Sequence, residues 1–459
     1  MDGGRHPRVG LPSLDIPRIV RPLTGPGCEG LPSRPALPTL SLLMARLPGL
    51  LLLCALAALP ARAADPLNSS DKPSTDEPAS AQPHNELNFV PIVGGSSDVG
   101  IGGGFFGGLA RLQKGYDPYV WNLEAAGIVT FKGGPDGLEL PVQDLYVKLT
   151  VPRFLGIPVR LEVRPSYTWE ILRYYGLGNA APDATRTGAA TSFVSYRRLH
   201  PQLDLDLRFR LVDHVALRGG VRYTQNWLQT KAGTLLVQDQ QGGDAETRKL
   251  LGSFDSHGVI LLKTGLQWDN RDNELTTHSG GFHELNVRFS PGGSAAFPYR
   301  YANTNFIGRV FLPLWKPRLT FAVRLVADLL LGEPPFYELS RFEDTYALGG
   351  GGGVRGVPAQ RYYGKVKLFE NAELRSELVS FHALGKPLVF GLVGFFDAGR
   401  AWADTRRAPR LDGDGAGIKY GAGGGIRLQS GSAFVVRFDV AYSPDANPVG
   451  AYFSAGEAF

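Results

Sequence analysis

Apolar and charged residues alternate strictly along several short stretches of this 459-residue chain. The clearest stretch is 203–211, Leu-Asp-Leu-Asp-Leu-Arg-Phe-Arg-Leu, in which every second side chain is apolar and the others are charged. The stretches 159–164 and 433–442 repeat the pattern. Period-two alternation predicts β-strands that have one apolar and one polar face. The chain is therefore expected to be all-β, with its strands lying between an apolar and an aqueous environment.

A secretion signal favours a membrane barrel over a soluble sandwich. The residues 44–46, Met-Ala-Arg, precede an apolar run at 47–59, and Ala61 and Ala63 form a small-x-small cleavage site before Ala64. Many two-faced strands behind such a signal are typical of an outer-membrane barrel with a polar lumen. No apolar run of about 18 residues follows the signal, which argues against membrane-spanning helices.

The position of the signal divides the chain. Residues 1–43 are rich in proline and arginine, so we predict that translation starts at Met44; a long n-region is the alternative. Both cysteines precede the cleavage site, so the mature protein is expected to contain no disulfide. The predicted segments are an untranslated upstream extension (1–43), a signal peptide (44–63), a disordered periplasmic tether (64–87) and a transmembrane β-barrel (88–459).

Turn signals divide residues 88–459 into sixteen predicted strands, an even number as in bacterial barrels. Short connections such as 114–117 and 212–214 alternate with long ones, notably 174–190, 230–255 and 332–363. Short turns at one end and long loops at the other are the periplasmic and extracellular signature. We therefore predict a 16-stranded antiparallel transmembrane β-barrel in the bacterial outer membrane, a monomer surrounded by lipid with both termini in the periplasm.

One arginine stands in the long loop 332–363. The five glycines at 349–353 precede it and allow the backbone to pass where side chains would clash. Carboxylates follow on the polar faces of the next two predicted strands. We predict that the loop folds into the lumen and that its arginine forms bidentate hydrogen bonds there; a solvated charge lattice is the alternative. The predicted docking motif is Val354, Arg355, Gly356 and Val357, and the predicted luminal partners are Glu373, Arg375 and Asp397.

These motifs together resemble the BamA/TamA superfamily, the bacterial surface antigen family of outer-membrane assembly proteins. Over residues 88–459, Val-Arg-Gly at 354–356 resembles the family's sixth-loop motif, and Phe-Asp-Ala-Gly at 396–399 resembles its acidic strand motif. Asp-Asn-Arg-Asp-Asn at 269–273 resembles a family turn, and the sequence closes on Phe459, which the resemblance makes an insertion signal. Val357 stands where the family prefers an aromatic residue.

The resemblance implies a barrel that assists the insertion or transport of proteins, or of other substrates, at the outer membrane. Client proteins and separate periplasmic modules are the implied partners. Only the tether precedes the predicted barrel, so the chain resembles a barrel-only member without POTRA modules. The alternative is a passive channel or a structural barrel whose lumen the loop plugs.

No motif indicates an enzyme, a cofactor, a metal or a nucleic-acid partner. The stretch 102–107 matches G-x-G-x-x-G but lies within a predicted strand and precedes no helix. The stretch 412–415 lacks the rest of a calcium-binding loop, and the histidines lack metal-ligand spacing. The net charge of +5 comes partly from residues 1–43. A serine and a histidine brought together from different strands remain the one enzymatic alternative that the sequence leaves open.

Overall fold

The computed structural model describes residues 82–459 except 117, 135–136, 275, 316–317, 342–346, 384–385, 431–433 and 446–448. The predicted upstream extension, the signal peptide and most of the predicted tether lie outside the described residues. The described part forms one antiparallel sheet that closes on itself, because its first strand pairs with its last. None of the helices in this part is long and apolar enough to span a membrane.

Eighteen strand segments make up the sheet in the described residues. They are β1 (His84–Ser96), β2 (Gly100–Leu112), β3 (Trp121–Gly134), β4 (Gly137–Glu139), β5 (Val142–Val151), β6 (Val159–Arg173), β7 (Ser195–Leu199), β8 (Gln202–Val212), β9 (Val215–Gln229), β10 (His257–Asp269), β11 (Gly280–Ser290), β12 (Tyr301–Trp315), β13 (Leu319–Gly332), β14 (Val366–Ala383), β15 (Lys386–Trp402), β16 (Lys419–Ser430), β17 (Phe434–Tyr442) and β18 (Gly450–Ala455).

Two interruptions by proline account for the difference between eighteen segments and sixteen barrel strands. Pro141 separates β4 from β5, and both segments pair with β3. Pro201 separates β7 from β8, and both pair with β6 on one side and β9 on the other. Proline has no amide hydrogen to donate to the ladder, so it interrupts a strand without removing it from the wall. The predicted 16-stranded antiparallel barrel is confirmed.

The two faces of each strand follow the alternation in the sequence. On β8, Leu203 and Leu205 are exposed, whereas Asp204 between them is buried. Arg222 of β9 and Lys263 of β10 donate to Asp204. The apolar residues therefore face outward, and the charged residues form hydrogen-bonded pairs on the inner side of the wall.

Two strand ends and one connection differ from the prediction. β1 begins at His84, ahead of the predicted start at 88. The predicted barrel extends to residue 459, whereas its last strand, β18, ends at Ala455, because Gly456 adopts a positive φ of 84° and turns the backbone out of the ladder. The connection predicted as a plain loop at 230–255 contains two helices, Leu235–Gly242 and Ala245–Leu251.

The longest connections lie together at one end of the barrel, called here the long-loop end. They are 174–194, 230–256, 333–365 and 403–418. Apolar residues from these connections and from nearby strand ends form a buried cluster, called here the cap cluster, which includes Tyr174, Leu236, Leu251, Phe336 and Tyr363. Connections that carry this much apolar surface pack against each other, because packing removes their apolar side chains from water. The opposite, short-turn end carries the brief connections.

Candidate functional site

The connection 333–365 is called here the long loop, and its described residues Leu348, Val354 and Val357 pack against β12 to β15. Val354 and Val357 are fully buried, and they pack with Val326 of β13 and Phe369 of β14. Within the glycine run, a side chain on Gly353 would overlap the carbonyl groups of Ala347 and Leu348. The glycine run therefore permits a tight turn of the backbone, after which residues 354–357 lie against the barrel wall.

Arg355 contacts carboxylates on three different strands. Its Nε donates to Asp397 Oδ2 at 2.7 Å and its Nη2 to Asp397 Oδ1 at 2.9 Å, which makes a bidentate pair. Its Nη1 donates to Glu373 Oε1 at 2.5 Å and to Asp439 Oδ2 at 3.3 Å. The backbone N–H of Arg355 also donates to Asp397, at 3.0 Å. The guanidinium is thus held from several directions.

Its buried position among carboxylates keeps this arginine in its charged form. Its side chain is 1 % exposed, and Glu373 and Asp397 are 0 % exposed. Desolvation opposes the charge, but the carboxylates of Glu373, Asp397 and Asp439 raise the pKa of Arg355 above its ordinary value. The guanidinium also lies over the ring of Phe395, 3.5 Å from its centre, so the pair gains a cation–π contact.

The surrounding charges balance. Arg375 donates to Glu373 at 2.8 Å, and Arg427 donates to Asp439 at 2.5 Å. Buried charges of this kind persist only when they are paired and hydrogen-bonded. The cluster contains four arginines and four carboxylates: Arg355, Arg375, Arg427 and Arg437 with Glu373, Asp397, Asp439 and Glu457.

Glycines on the inner face of β16 make room for the loop. A side chain on Gly421 would overlap the carbonyl oxygen of Arg355, and one on Gly425 would overlap the carboxylate of Asp439. Gly356 of the loop has a φ of 92° and lies against Ser443. Glycine in a strand interior weakens the strand but allows close backbone approach, which is the use made of it here.

Further contacts hold the loop on either side of Arg355. Arg324 donates to the carbonyl of Gly352 at 2.6 Å, and Asn371 donates to that of Gly353 at 2.7 Å. The N–H of Gly356 donates to the hydroxyl of Tyr452 at 2.9 Å. The N–H of Ala359 donates to Asp98 in the turn between β1 and β2.

Several of these groups could not be predicted from the sequence as contacts of the long loop. Asp439 carried a signal, since it lies on the polar face of a clearly alternating strand, but nothing in the sequence tied it to Arg355. Arg324, Asn371 and Tyr452 belong to strands without a motif. Of the predicted residues, Glu373 and Asp397 contact Arg355 directly, whereas Arg375 donates to Glu373 and to the backbone oxygen of Phe459. The docking role of these residues stays a prediction.

The last four residues, Gly456–Phe459, lie on the inner side of the wall and are called here the inward segment. Arg375 donates to the backbone oxygen of Phe459 at 3.0 Å, and Arg324 donates to that of Ala458 at 3.3 Å. The carboxylate of Glu457 accepts from Arg427 at 2.8 Å. The turn at Gly456 and these arginines therefore draw Phe459 and its neighbours inward, away from the lipid-facing side. Its role as an insertion signal stays a prediction.

The closure of the barrel is uneven. Among the described residues, β1 pairs with β2 at 13 positions but with β18 at only two, Gly95 with Phe453 and Ser96 with Tyr452. One further backbone hydrogen bond joins Ser97 to Ala451 at 3.0 Å. Within the part of the chain that the structure describes, residues 85–94 of β1 consequently pair with β2 but not with β18, and Leu87 and Phe89 are 79 % and 68 % exposed. This junction is called here the seam.

A closed antiparallel barrel with an apolar outer face and charged pairs inside is the architecture of a bacterial outer-membrane barrel. The chain belongs to the Omp85 superfamily, whose domain pattern matches residues 142–459. Comparison with functionally curated proteins finds no match. Among the described residues, no group of histidine, cysteine, aspartate and glutamate side chains is arranged to hold a metal ion.

Several solved structures resemble the fold, and two of them are as follows. One is BamA from Haemophilus ducreyi lacking POTRA domains 1–3, at 16 % identity and a TM-score of 0.53, with 81 % of this chain and 70 % of that chain covered. The other is CdiB from Escherichia coli, at 16 % identity and a TM-score of 0.51, with 83 % of this chain and 63 % of that chain covered. At this identity the likeness extends to the fold alone.

Proposed function

We propose that this barrel assists polypeptides in entering or crossing the outer membrane through the seam between β1 and β18. The observation that carries the proposal is the pairing at the seam, where two residue pairs join strands that each pair more extensively on their other side. A wall strand with so few bonds on one side is the place where a barrel opens at least cost.

The exposed edge of β1 has the chemistry to receive a polypeptide. An unpaired strand edge presents a row of backbone N–H and C=O groups, and an extended peptide can add to it as a further strand. Unsatisfied backbone groups are costly in lipid, so an incoming strand that pairs with the edge would be strongly favoured. Pro91 lies within this part of β1 and lacks an amide hydrogen, which limits permanent pairing there.

The long loop fits the same function as an internal support. Arg355 ties it to β14, β15 and β17, while Gly356 and Ala359 tie it to Tyr452 on β18 and to Asp98 beside β1. The loop thus contacts both sides of the seam. Together with the cap cluster over the long-loop end, this packing supports the proposal over a passive channel.

The proposed orientation places the long-loop end outside the cell and both ends of the chain in the periplasm. Long loops outside and short turns inside is the usual arrangement of such barrels. Separate periplasmic modules and client polypeptides would then approach the short-turn end, on the side where β1 begins. The function proposed here involves no catalysis by the chain itself.

A reversible lock on the seam tests the proposal. Continuing the register of the seam places Val93 opposite Ala455, so the variant Val93→Cys with Ala455→Cys should form a disulfide that closes the gap. In a strain depleted of the protein, we expect outer-membrane protein levels to fall and the wild type to restore them. The oxidised double variant should fail to restore them, and adding a reductant should recover its activity.

The single-cysteine variants are the controls, because each carries the same substitution without the lock. Full restoration by the quantitatively crosslinked double variant would rule out a role for seam opening. Unchanged outer-membrane protein levels after depletion would contradict the assembly role itself. A large, steady ion conductance of the purified wild-type barrel would instead favour the channel.

A further inference from the structure

A cavity of about 460 Å³ lies inside the barrel, between the wall of β3 to β8 and the long loop. Its volume falls in the range of roughly 300–1,000 Å³ that is typical of sites for small organic molecules. Part of the lining is apolar and comes from Ile128, Val142 and Leu172. The remainder is polar and carries charges of both signs. The cavity therefore has the size and the mixed lining of a small-molecule site.

The charged side chains around the cavity have a surplus of positive charge, before any charge on histidine is counted. They comprise four arginines and three carboxylates: Arg164, Arg173, Arg198 and Arg341 with Asp98, Asp144 and Glu170. The carboxylate of Glu170 lies 3.8 Å from Arg341 and 4.0 Å from Arg198. That of Asp144 accepts from the hydroxyl of Thr168 at 2.7 Å. These contacts leave one arginine without a carboxylate.

That arginine is Arg164 of β6. Among the described residues it forms no ion pair, and its Nε has no hydrogen-bond partner. Its guanidinium lies over the ring of Tyr146 on β5, 4.4 Å from the ring centre. A cation–π contact of this kind holds the guanidinium but leaves its N–H donors available. Those donors can form a bidentate pair with a carboxylate or a phosphate group.

The long loop supplies a further donor to the same cavity. Gln360 lines the cavity, and its side-chain oxygen accepts from the backbone N–H of Arg173 at 3.3 Å. Because that contact uses the oxygen, the side-chain NH₂ group of Gln360 remains available as a donor. Gln360 also has a positive φ of 58°, which is uncommon for a residue other than glycine. Backbone strain of this kind concentrates at functional and ligand-binding sites.

We propose that the cavity binds a small organic anion, whose carboxylate or phosphate group pairs with Arg164 and whose apolar part lies against Ile128, Val142 and Leu172. An inorganic anion would neutralise Arg164 but would leave the apolar lining uncovered. A neutral apolar molecule would cover that lining but would leave the arginine without a counter-charge. The site lies away from the seam, and its assignment does not rest on the proposed function.

Binding of 1-naphthyl phosphate to the purified barrel in a neutral detergent tests the proposal, measured by isothermal titration calorimetry. This compound carries a phosphate group on an apolar ring system. We expect saturable binding of one molecule per barrel. Arg164→Gln should weaken the binding by about tenfold or more, because a charge-assisted pair is lost. Arg164→Lys keeps the charge without the planar fork and should weaken the binding less.

Arg218→Gln is the matched control, because it removes the same charge from a neighbouring, smaller cavity of the lumen. The carboxylate of Glu284, which lies 3.6 Å from Arg218, keeps its contact with Arg309 at 3.1 Å. The control therefore leaves no buried carboxylate without a cation, and it should bind 1-naphthyl phosphate like the wild type. Heat-dependent gel migration verifies that each variant is folded.

Inorganic phosphate and 1-naphthol separate the two parts of the ligand, and each should bind far more weakly than the ester after correction for uptake by empty micelles. If either bound as tightly as the ester, the assignment to an organic anion would be wrong. Absence of saturable binding to the wild type would also overturn it. So would equal weakening by Arg164→Gln and Arg218→Gln, since the effect would then reflect the general charge of the lumen. None of these outcomes depends on the depletion experiment.

Discussion

Arg355 forms ion pairs with three carboxylates on three strands, β14, β15 and β17. This one side chain therefore attaches the long loop to a part of the wall that spans four neighbouring strands. The planar guanidinium suits this role because its donors point in fixed directions and can pair with a carboxylate bidentately. A buried group of this kind adds little net stability against an apolar replacement of the whole cluster. Removing one partner is costly, because it leaves the other charges buried and unpaired.

Arg355→Ala should therefore destabilise the folded loop by about 3–5 kcal/mol. Asp397 and Glu373 lose their donors from the loop, and the segment 333–365 should be cut faster by an added protease. Arg355→Lys should be nearly as harmful, because an ammonium group cannot reproduce the bidentate fork. Limited proteolysis and heat-dependent gel migration measure both effects.

Arg410→Ala is the matched control for these variants. Its guanidinium is 74 % exposed and pairs with Asp244 on the surface of the long-loop end, where an ion pair contributes roughly 0–1 kcal/mol. If Arg355→Ala left proteolysis of the loop at the level of this control, Arg355 would have no docking role.

The sequence allowed only some of the carboxylates that contact Arg355 to be predicted. Glu373 and Asp397 could be named because they follow the loop on the next two strands and because period two assigns them to the polar face. Asp439 lies two strands further on, and its distance from the loop depends on strand tilt and stagger, which a linear pattern does not contain. The contact between Tyr452 and Gly356 could not be predicted for the same reason.

At the scale of elements, β16 is notable for glycines on its inner face, which lie where the loop backbone and the side chain of Asp439 approach the wall. A strand with several glycines has a low β-propensity, but its missing side chains leave space for the backbone of the loop. Strand boundaries along the rest of the wall could be predicted closely, because alternation and turn residues are local signals. The end of β18 could not, because the inward turn depends on arginines that lie far away in the sequence.

Gly421→Ala tests the space beside β16. The added methyl group would overlap the carbonyl oxygen of Arg355, so we expect loss of loop docking and a lower unfolding temperature. Gly394→Ala on β15 is the control, because its side chain would meet no atom within 4 Å. That change should be neutral or slightly stabilising, by up to about 1 kcal/mol. Equal effects of the two changes would show that strand propensity alone is being measured.

Phe459→Ala tests the end of the last element. Its ring lies against Arg324 and Arg375, and the resemblance to assembly-family barrels makes it an insertion signal. We expect less folded protein in the outer membrane of cells, with little change in the heat resistance of the fraction that does fold. Quantitative immunoblotting of membrane fractions measures the first effect. A normal membrane level would contradict the role in insertion.

At the scale of the whole molecule, the barrel encloses space but is obstructed in two ways. A cavity of about 460 Å³ lies between the wall of β3 to β8 and the long loop, with Arg164, Glu170 and Gln360 in its lining. The cap cluster covers the long-loop end, and the loop with its charge cluster occupies the side near β12 to β17. Among the described residues, the long loop and the cap cluster therefore occupy part of the space that the wall encloses.

We therefore expect the purified barrel to conduct ions poorly in planar bilayers. Replacing residues 348–361 by a short Gly-Ser linker removes Arg355 and both buried valines, so it should join the cavity to the space beside β14 to β17 and raise the conductance severalfold. Replacing the exposed residues 186–188 by Gly-Ser is the control, since it shortens another long connection without touching the lumen. If the wild type already conducts as strongly as the loop-deleted barrel, the loop does not obstruct the lumen, and a passive channel becomes the better description of this protein.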